Sequence, residues 1–493
     1  NSSGLVETVE LLGSEEVTGT NSDMSGANSW VGGLGSLDFN INTTVANKMW
    51  CNFTTGNQQV ILPNTLTIGK TYFVSLTARL NSGTATTVQI GGFTSSQASN
   101  SVFNIIPTST TTTYTGYIVI DNTSLSIGVI TANNNGSDYE FDNVSVKEST
   151  KNNLARVDYD GTASSLLVEP ERTNLIPYSE AFNSWLAKDY VTVAENTSET
   201  TSPSGNNTAS KITINSVSTI RRLYEVVTTS SGSDYTFTLY AKKGTTDYIR
   251  FYLNSNMFDV SFDLTNGTKT VTLGSGSIEA VGNDWYRLQA TGTSSLTSEV
   301  PQIQLSNSAS VSDYLYIWGS QIEEGSYATS YIPTDGGTVT RVQDQYSKTG
   351  ISNLINSEEG VLFLEMAALT ITNSGNAAIS VSDGSTTNRI FINYSSATNV
   401  VKFQSVVGGV QAAFMQYTLT DITIQQKIAF RWDGTIFSVF IDGNLKGSDD
   451  RGLSFTSGTL NTLGLNRGSA AEYFVGKVKQ LQVFKTALTD PEL

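Results

Sequence analysis

The sequence predicts an all-β chain of three tandem β-sandwiches of the jelly-roll kind. Three observations carry that expectation. Val, Ile, Leu, Phe and Tyr recur in short alternating runs, the period of a half-buried strand. Clusters of Gly, Asn, Ser and Thr separate the runs, and there are 42 glycines against 15% charged residues, a turn-rich and not a disordered composition. A length of 493 residues fits about three domains.

The first block spans 1–150. Its strand candidates include Tyr72–Leu80, Thr86–Ile90, Tyr114–Ile120 and Ser124–Ile130. Alternation runs through Tyr139, Phe141, Val144 and Val146, with Asp142 and Asn143 breaking step as at a bulge. The second block, 151–345, repeats the plan: Asp234–Lys243 lies where Tyr72–Leu80 lay, and Tyr314–Ile322 takes the place of Tyr139–Val146. Trp30 and Trp185 open the two blocks, as in a duplicated domain. The stretch Asp158–Trp185 reads as the opening of this block and Asp313–Arg341 as its close. The third block, 346–493, holds a hairpin pattern at 427–447 with Asp442–Gly443 as its second turn, since Asp-Gly supplies the positive φ a tight hairpin needs. Thr489 and Pro491 mark a final helical turn.

Composition excludes several functions. The net charge is -16 and no block is basic, so a phosphate-neutralising surface is absent and nucleic acid is a poor partner. Histidine is missing, which removes His-dependent triads, most zinc sites and the commonest general base. The single cysteine, Cys51, rules out an internal disulfide and, between Trp50 and Phe53, reads as a buried thiol. No apolar run approaches the ~18 residues of a membrane helix, so membrane insertion is not expected. With no initiator Met, the chain reads as the ordered part of a longer protein.

Sugar binding remains, because aromatic faces stack on pyranose rings while amides and carboxylates meet the hydroxyls. The candidate platforms are Trp50, Tyr114 and Tyr139 in the first block, Tyr248, Tyr252 and Trp285 in the second, and Tyr394, Tyr417 and Tyr473 in the third. For each, core packing is the safer reading; Trp185, Trp318 and Trp432 sit inside alternating patterns and read as core. Arg172 and Asn174 read as structural, with Glu323 or Glu324 as the arginine's partner.

SLLVEPERTNLIPYSEAFNSW at 165–185 and YIWGSQIEEGSYATSYIPTDGGTVTR at 316–341 resemble the borders of a module found in bacteriophage tail and virion-fibre proteins. FDNVSVKE at 141–148 resembles the end of galactose-binding-like sandwiches of carbohydrate-binding modules. The third block resembles the laminin-G/concanavalin fold through AFRWDGTIFSVFIDGNLKG at 429–447 and YFVGKVKQLQVFKTALTDPEL at 473–493. These resemblances imply a virion-surface, extracellular appendage, usually a homotrimer, attached to other virion proteins and touching host surface glycans. The galactose-binding-like modules often carry a structural Ca²⁺ between their opening segment and last strand. The matching positions are Glu15 or Glu16 with Asp142, and Glu180 with Gln321 or Glu323. Concanavalin-like hydrolases need paired acids on one strand face, and the third block has no such pattern, so a binding protein and not an enzyme is expected. The rival readings are binding modules of a secreted bacterial polysaccharide-degrading enzyme or adhesin, and a ligand-free structural spacer.

Overall fold

The computed structural model describes residues 11–17, 30–32, 38–41, 48–53, 58–63, 66–91, 102–120, 124–129, 136–150, 155–160, 163–218, 220–253, 257–306, 309–371, 377–469 and 472–493. Among them the regular elements are strands and three short 3₁₀ turns, as the alternating sequence requires. One compact unit spans Val9–Leu154 and a second holds Ala155–Leu493.

The N-terminal unit is a sandwich of a six-stranded and a five-stranded antiparallel sheet. Its central pair is Thr71–Ser82 against Ser137–Thr150. Alternate residues of the former, Tyr72, Val74, Leu76 and Ala78, point into the core beside Cys51, Phe53, Phe141 and Val146. The expected bulge is present: the register slips between Asp142 and Ser145, and Asn143 takes φ of 51°. Ile130, the end of one expected strand, lies outside the described residues.

The middle sandwich repeats this plan. Its central pair is Asp234–Lys243 against Tyr314–Glu324. The likeness reaches atomic detail. Tyr72 accepts a hydrogen bond from Thr67 N–H at 3.0 Å, and Tyr235 accepts one from Ser230 N–H at 2.8 Å. In each case the ring of the strand's first core residue locks the preceding turn. Gly69 and Gly232 sit in those turns with φ of 83° and 89°, and each donates to a carbonyl just past the neighbouring strand, Ile120 and Ser294.

The boundary expected at residue 151 is corrected. Strands Arg156–Asp160 and Ala163–Val168 form a hairpin that joins the C-terminal sandwich, where Leu166 pairs with Val478 and Val168 with Gly476. Val168 is fully buried in the C-terminal core and Leu166 packs against it. The middle sandwich is thus inserted into the C-terminal one, and its own chain opens only at the strand Arg172–Asn174, which pairs with Val339–Arg341.

The two ends of the insertion are clamped by charge. Arg156 places one nitrogen 2.5 and 2.6 Å from the carboxylate of Asp344. Asp344 also accepts the Glu169 N–H, and Glu169 lies 3.2 Å from Arg341. All four are buried. The C-terminal sandwich comprises a seven-stranded sheet, which includes the 156–168 hairpin, and a six-stranded sheet. The hairpins at 426–441 and 436–450 form as expected, with Asp442 and Gly443 at φ of 49° and 74°. Thr489 and Glu492 cap the final turn, which Arg431 holds through Leu488 O and Asp490.

Candidate glycan-facing sheet of the middle sandwich

The two sheets of the middle sandwich treat their outer faces differently. Strands Asp234–Lys243 and Tyr314–Glu324 are buried on both faces. The opening segment after Asn174 and the closing segment to Arg341 cover their outside. Trp318 Nε1 donates to Glu180 at 2.9 Å, Tyr331 donates to Glu180 at 3.0 Å, and Asn174 Nδ2 donates to Ser320 O and Ile332 O. A second small core of Tyr240, Trp285, Tyr316 and Trp318 forms beneath them.

The opposite sheet keeps its outer face accessible. Its order is Ala187–Asp189, Arg222–Tyr224, Gln302–Leu305, Tyr248–Tyr252, Asp259–Asp263, Thr268–Leu273. Strict alternation sends Leu223, Ile303, Leu305, Ile249, Phe251, Val260 and Phe262 inward to the core. The remaining residues face out, and cross-strand register places them in rows. One row runs Ala187, Tyr224, Gln302, Tyr252, Asp259; the next runs Asp189, Arg222, Gln304, Arg250, Ser261.

Hydrogen bonds fix these side chains before any ligand arrives. Arg250 grips Asp259 with two bonds of 2.6 Å and reaches Gln304 at 3.2 Å. The hydrogen bond to Asp259 holds the Arg250 guanidinium above its ordinary range, although burial opposes it. Arg222 holds Asp189 at 2.8 Å and Gln302 at 3.1 Å. Gln304 donates to Gln302 at 2.8 Å, and Tyr248 shares a 2.7 Å bond with Ser261. Each guanidinium lies over the tyrosine two residues on: 4.7 Å from the Tyr224 ring centre and 4.5 Å from that of Tyr252. Gln302 is buried between them while both tyrosines are half-buried. The result is a rigid surface of aromatic, amide and guanidinium groups, the chemistry that meets sugar faces and hydroxyls.

Only Tyr248 and Tyr252 of the sequence candidates belong to this face. Tyr139, Trp285 and Tyr394 are corrected: each is buried to within 1% exposure and cannot offer a ring face to a ligand. Tyr139 packs on Phe53, and Trp285 donates to Thr201 O at 3.0 Å. Burial pushes the hydroxyl of Tyr394 far above the usual tyrosine range. Tyr114 and Tyr417 are half-buried and lean on the cores of their sandwiches. Trp50 stands half-buried across from Glu140, and Tyr473 is half-buried and bridges to Ala378. The sequence reading missed Arg222, Tyr224, Gln302, Gln304 and Asp259. The signal of the first four was present as RLY and QIQ, polar residues flanking one apolar residue in two short strands.

The acids proposed for calcium do not fit a cation. Glu15 does tie the opening strand to the last one, but through N–H and O–H donors: Val146 N and Ser145 Oγ at 2.6 Å each, and Val17 N at 3.2 Å. Glu16 bonds through its backbone to Val146, and Asp142 accepts from Asn143 N. Glu180 and Glu323 lie in separate networks, the latter taking both bonds of Thr329 and the Gln321 amide. Gln321 accepts from Ile332 N. Among the described residues no three acidic, Cys or His side chains gather as a cation would need. Arg172 meets Glu323 as expected, at 3.7 Å.

No curated protein sequence matches this chain. Residues 367–493 match the family described as the Concanavalin A-like lectin/glucanases superfamily. Three solved structures are among those similar in fold. The CBM40 of the Ruminococcus gnavus IT-sialidase, bound to α2,3 sialyllactose, is 16% identical, with 30% of this chain and 96% of that one covered and a TM-score of 0.24. The N-terminal CBM22-1–CBM22-2 tandem domain of Paenibacillus barcinonensis Xyn10C is 11% identical, covering 65% and 100%, with a TM-score of 0.25. Domains LG4-5 of the mouse laminin α1 chain are 11% identical, covering 67% and 92%, with a TM-score of 0.20. Such distant likenesses carry no argument about ligand. What the chain has in its own right is a nearly all-β build of sandwich sheets, whose C-terminal part is similar to the concanavalin A-like lectins and glucanases.

Proposed function

We propose that this protein binds glycans without catalysis, as a surface appendage of a virion that meets the polysaccharides of a host cell. One observation supports this above the rest. The middle sandwich covers the central strands of one outer face and leaves the other as an ordered field of two Arg–Tyr stacks around Gln302 and Gln304. A spacer has no use for such a surface, because alternating Thr and Ser would keep the sheet soluble at less conformational cost. The resemblance at the module's two borders supports the virion setting, in which many weak sites on one particle combine their affinities.

The test is a glycan array probed with the full chain and with Tyr224→Ala/Tyr252→Ala. The reading expects binding by the full chain and its loss in the double variant, with the melting temperature unchanged. Silence of the folded full chain across host polysaccharides would leave the spacer reading standing.

A further inference from the structure

The strands that open and close the middle sandwich set two arginines side by side. Arg172 pairs with Arg341 in the register of Arg172–Asn174 against Val339–Arg341. Like charges directly opposite each other on a sheet destabilise the pairing. The acids nearby do not fully answer these two. Arg172 Nε lies 3.7 Å from Glu323 and makes no hydrogen bond among the described residues. Glu323 is already taken, since its oxygens accept from Thr329 and Gln321. Arg341 turns Nη1 to Ser330 O at 2.9 Å and to Glu169 at 3.2 Å. Its Nε and Nη2 are buried and have no hydrogen-bond partner among the described residues. These two N–H groups share one edge of the planar guanidinium and point the same way. It is the edge with which Arg250 holds both oxygens of Asp259.

Charge gives a second, independent observation. Arg156, Arg172, Arg287 and Arg341 act together with Glu169, Glu323 and Asp344 at this junction. Four cations and three anions leave one positive charge in a chain whose net charge is -16. Glu171, Glu279 and Glu324 stand in solvent. Burial holds the Arg341 guanidinium below its ordinary range, and the surrounding acids do not make up the difference.

We propose that the Nε–Nη2 edge of Arg341, with Arg172 beside it, is a buried site for one small planar monovalent oxyanion of the formate, nitrate or bicarbonate class. The ion ties the first strand of the inserted sandwich to its last. Two oxygens of a planar ion accept two parallel N–H bonds at once, which a spherical halide cannot do. One negative charge cancels the surplus, whereas a divalent ion would reverse it and carry a larger desolvation cost. The free donors are out of reach of solvent, so the carboxylate of a polysaccharide does not reach them and a small ion enters when the junction opens. The inference stands apart from the glycan-facing sheet.

The test follows backbone hydrogen exchange of the full chain by mass spectrometry in sodium formate, nitrate or chloride, with sodium gluconate keeping the ionic strength constant. At about 100 mM formate, peptides over 172–174 and 339–341 should exchange about tenfold more slowly than in gluconate alone, as a dissociation constant of about 10 mM requires. Peptides of Val9–Leu154 should not change. Nitrate should act as formate does, and chloride about tenfold more weakly. Carbon-13 NMR of labelled formate should count one bound ion per chain. Arg341→Lys keeps the charge and removes the paired donors, so it should lose the preference for formate over chloride. Arg172→Gln removes the surplus charge and should weaken formate binding about tenfold. Each variant is compared with itself in gluconate, so a general loss of stability does not imitate the effect.

No difference between formate and gluconate, equal protection by chloride, protection spread over the whole chain, or a formate preference that survives in Arg341→Lys would overturn the site. If Arg341→Lys does not fold, the labelled-formate count on the native chain decides, and no bound ion there overturns the proposal.

Discussion

At the scale of single residues, burial and hydrogen bonding decide what a side chain can do. Glu140 is buried and receives Arg79 at 2.9 Å and Asn81 at 2.8 Å, with Lys48 at 3.5 Å. Burial acts to raise its carboxyl, but the Asn81 bond and the two cations more than reverse this, so its pKa lies below the ordinary glutamate value. A depressed acid stabilises the fold above its unfolded pKa, and that contribution fades as pH falls through the folded value. Glu140→Gln should therefore cost about 1–2 kcal/mol at neutral pH, a difference that begins to shrink only as the pH falls below about 4.5 towards the lower folded value. Urea unfolding of the two proteins across pH 3–7 checks it, and parallel stability curves would refute it. Cys51 gives a second residue-level outcome. Burial pushes its thiol far above the usual range, and it has no exposure. Reaction with a thiol reagent at about pH 8 should wait for opening of the N-terminal sandwich, so its rate should rise with denaturant in step with unfolding.

At the scale of elements, the hairpin at 156–168 is where sequence and structure diverge, and the reason is physical. The sequence reading assigned 158–185 to the opening of the middle block, although Leu166 and Val168 follow a strand's period of two. It could not tell which sheet the strand completes, because pairing with Val478 joins residues more than three hundred positions apart. Local signals did better: the Asp442–Gly443 turn, the bulge at Asn143 and the Thr489 cap all form, since each is set within a few residues. The exposed sheet face was half legible for the same reason. Tyr248 and Tyr252 share a strand, while Tyr224 and Gln302 reach them only through long-range register. The buried clamp yields a sharp outcome. Asp344→Ala would leave the Arg156 guanidinium buried beside nothing closer than Glu169 at 3.8 Å. A loss of about 3–5 kcal/mol is expected. Replacing Arg156 and Asp344 together with Met and Leu should cost much less. Equal losses for the single and double variants in denaturant melts would show that packing, not the ion pair, holds the insertion.

At the scale of the whole molecule, the separate cores and the inserted topology make two different statements about where the chain can be cut. The core of Val9–Leu154 is built from residues 17–146 alone. The C-terminal core draws on Val168 and then on residues from 355 to 478, so it closes around the middle sandwich. A cut near residue 154 severs no strand pairing among the described residues, whereas a cut at 345 removes the hairpin that covers the strand Gly476–Phe484. That exposed edge would present unpaired N–H and C=O groups and the apolar face of Val478 to other chains. The fragment 155–493 should therefore stay monodisperse and keep the full glycan affinity and stoichiometry of the intact chain. The fragment 346–493 should melt at lower temperature and aggregate, and adding residues 155–171 back through a short linker in place of the middle sandwich should rescue it. Light scattering and calorimetry on the three fragments decide the matter. A stable, soluble 346–493 would mean that the hairpin only rests on the C-terminal sandwich, and loss of glycan binding in 155–493 would move the ligand site to the N-terminal unit.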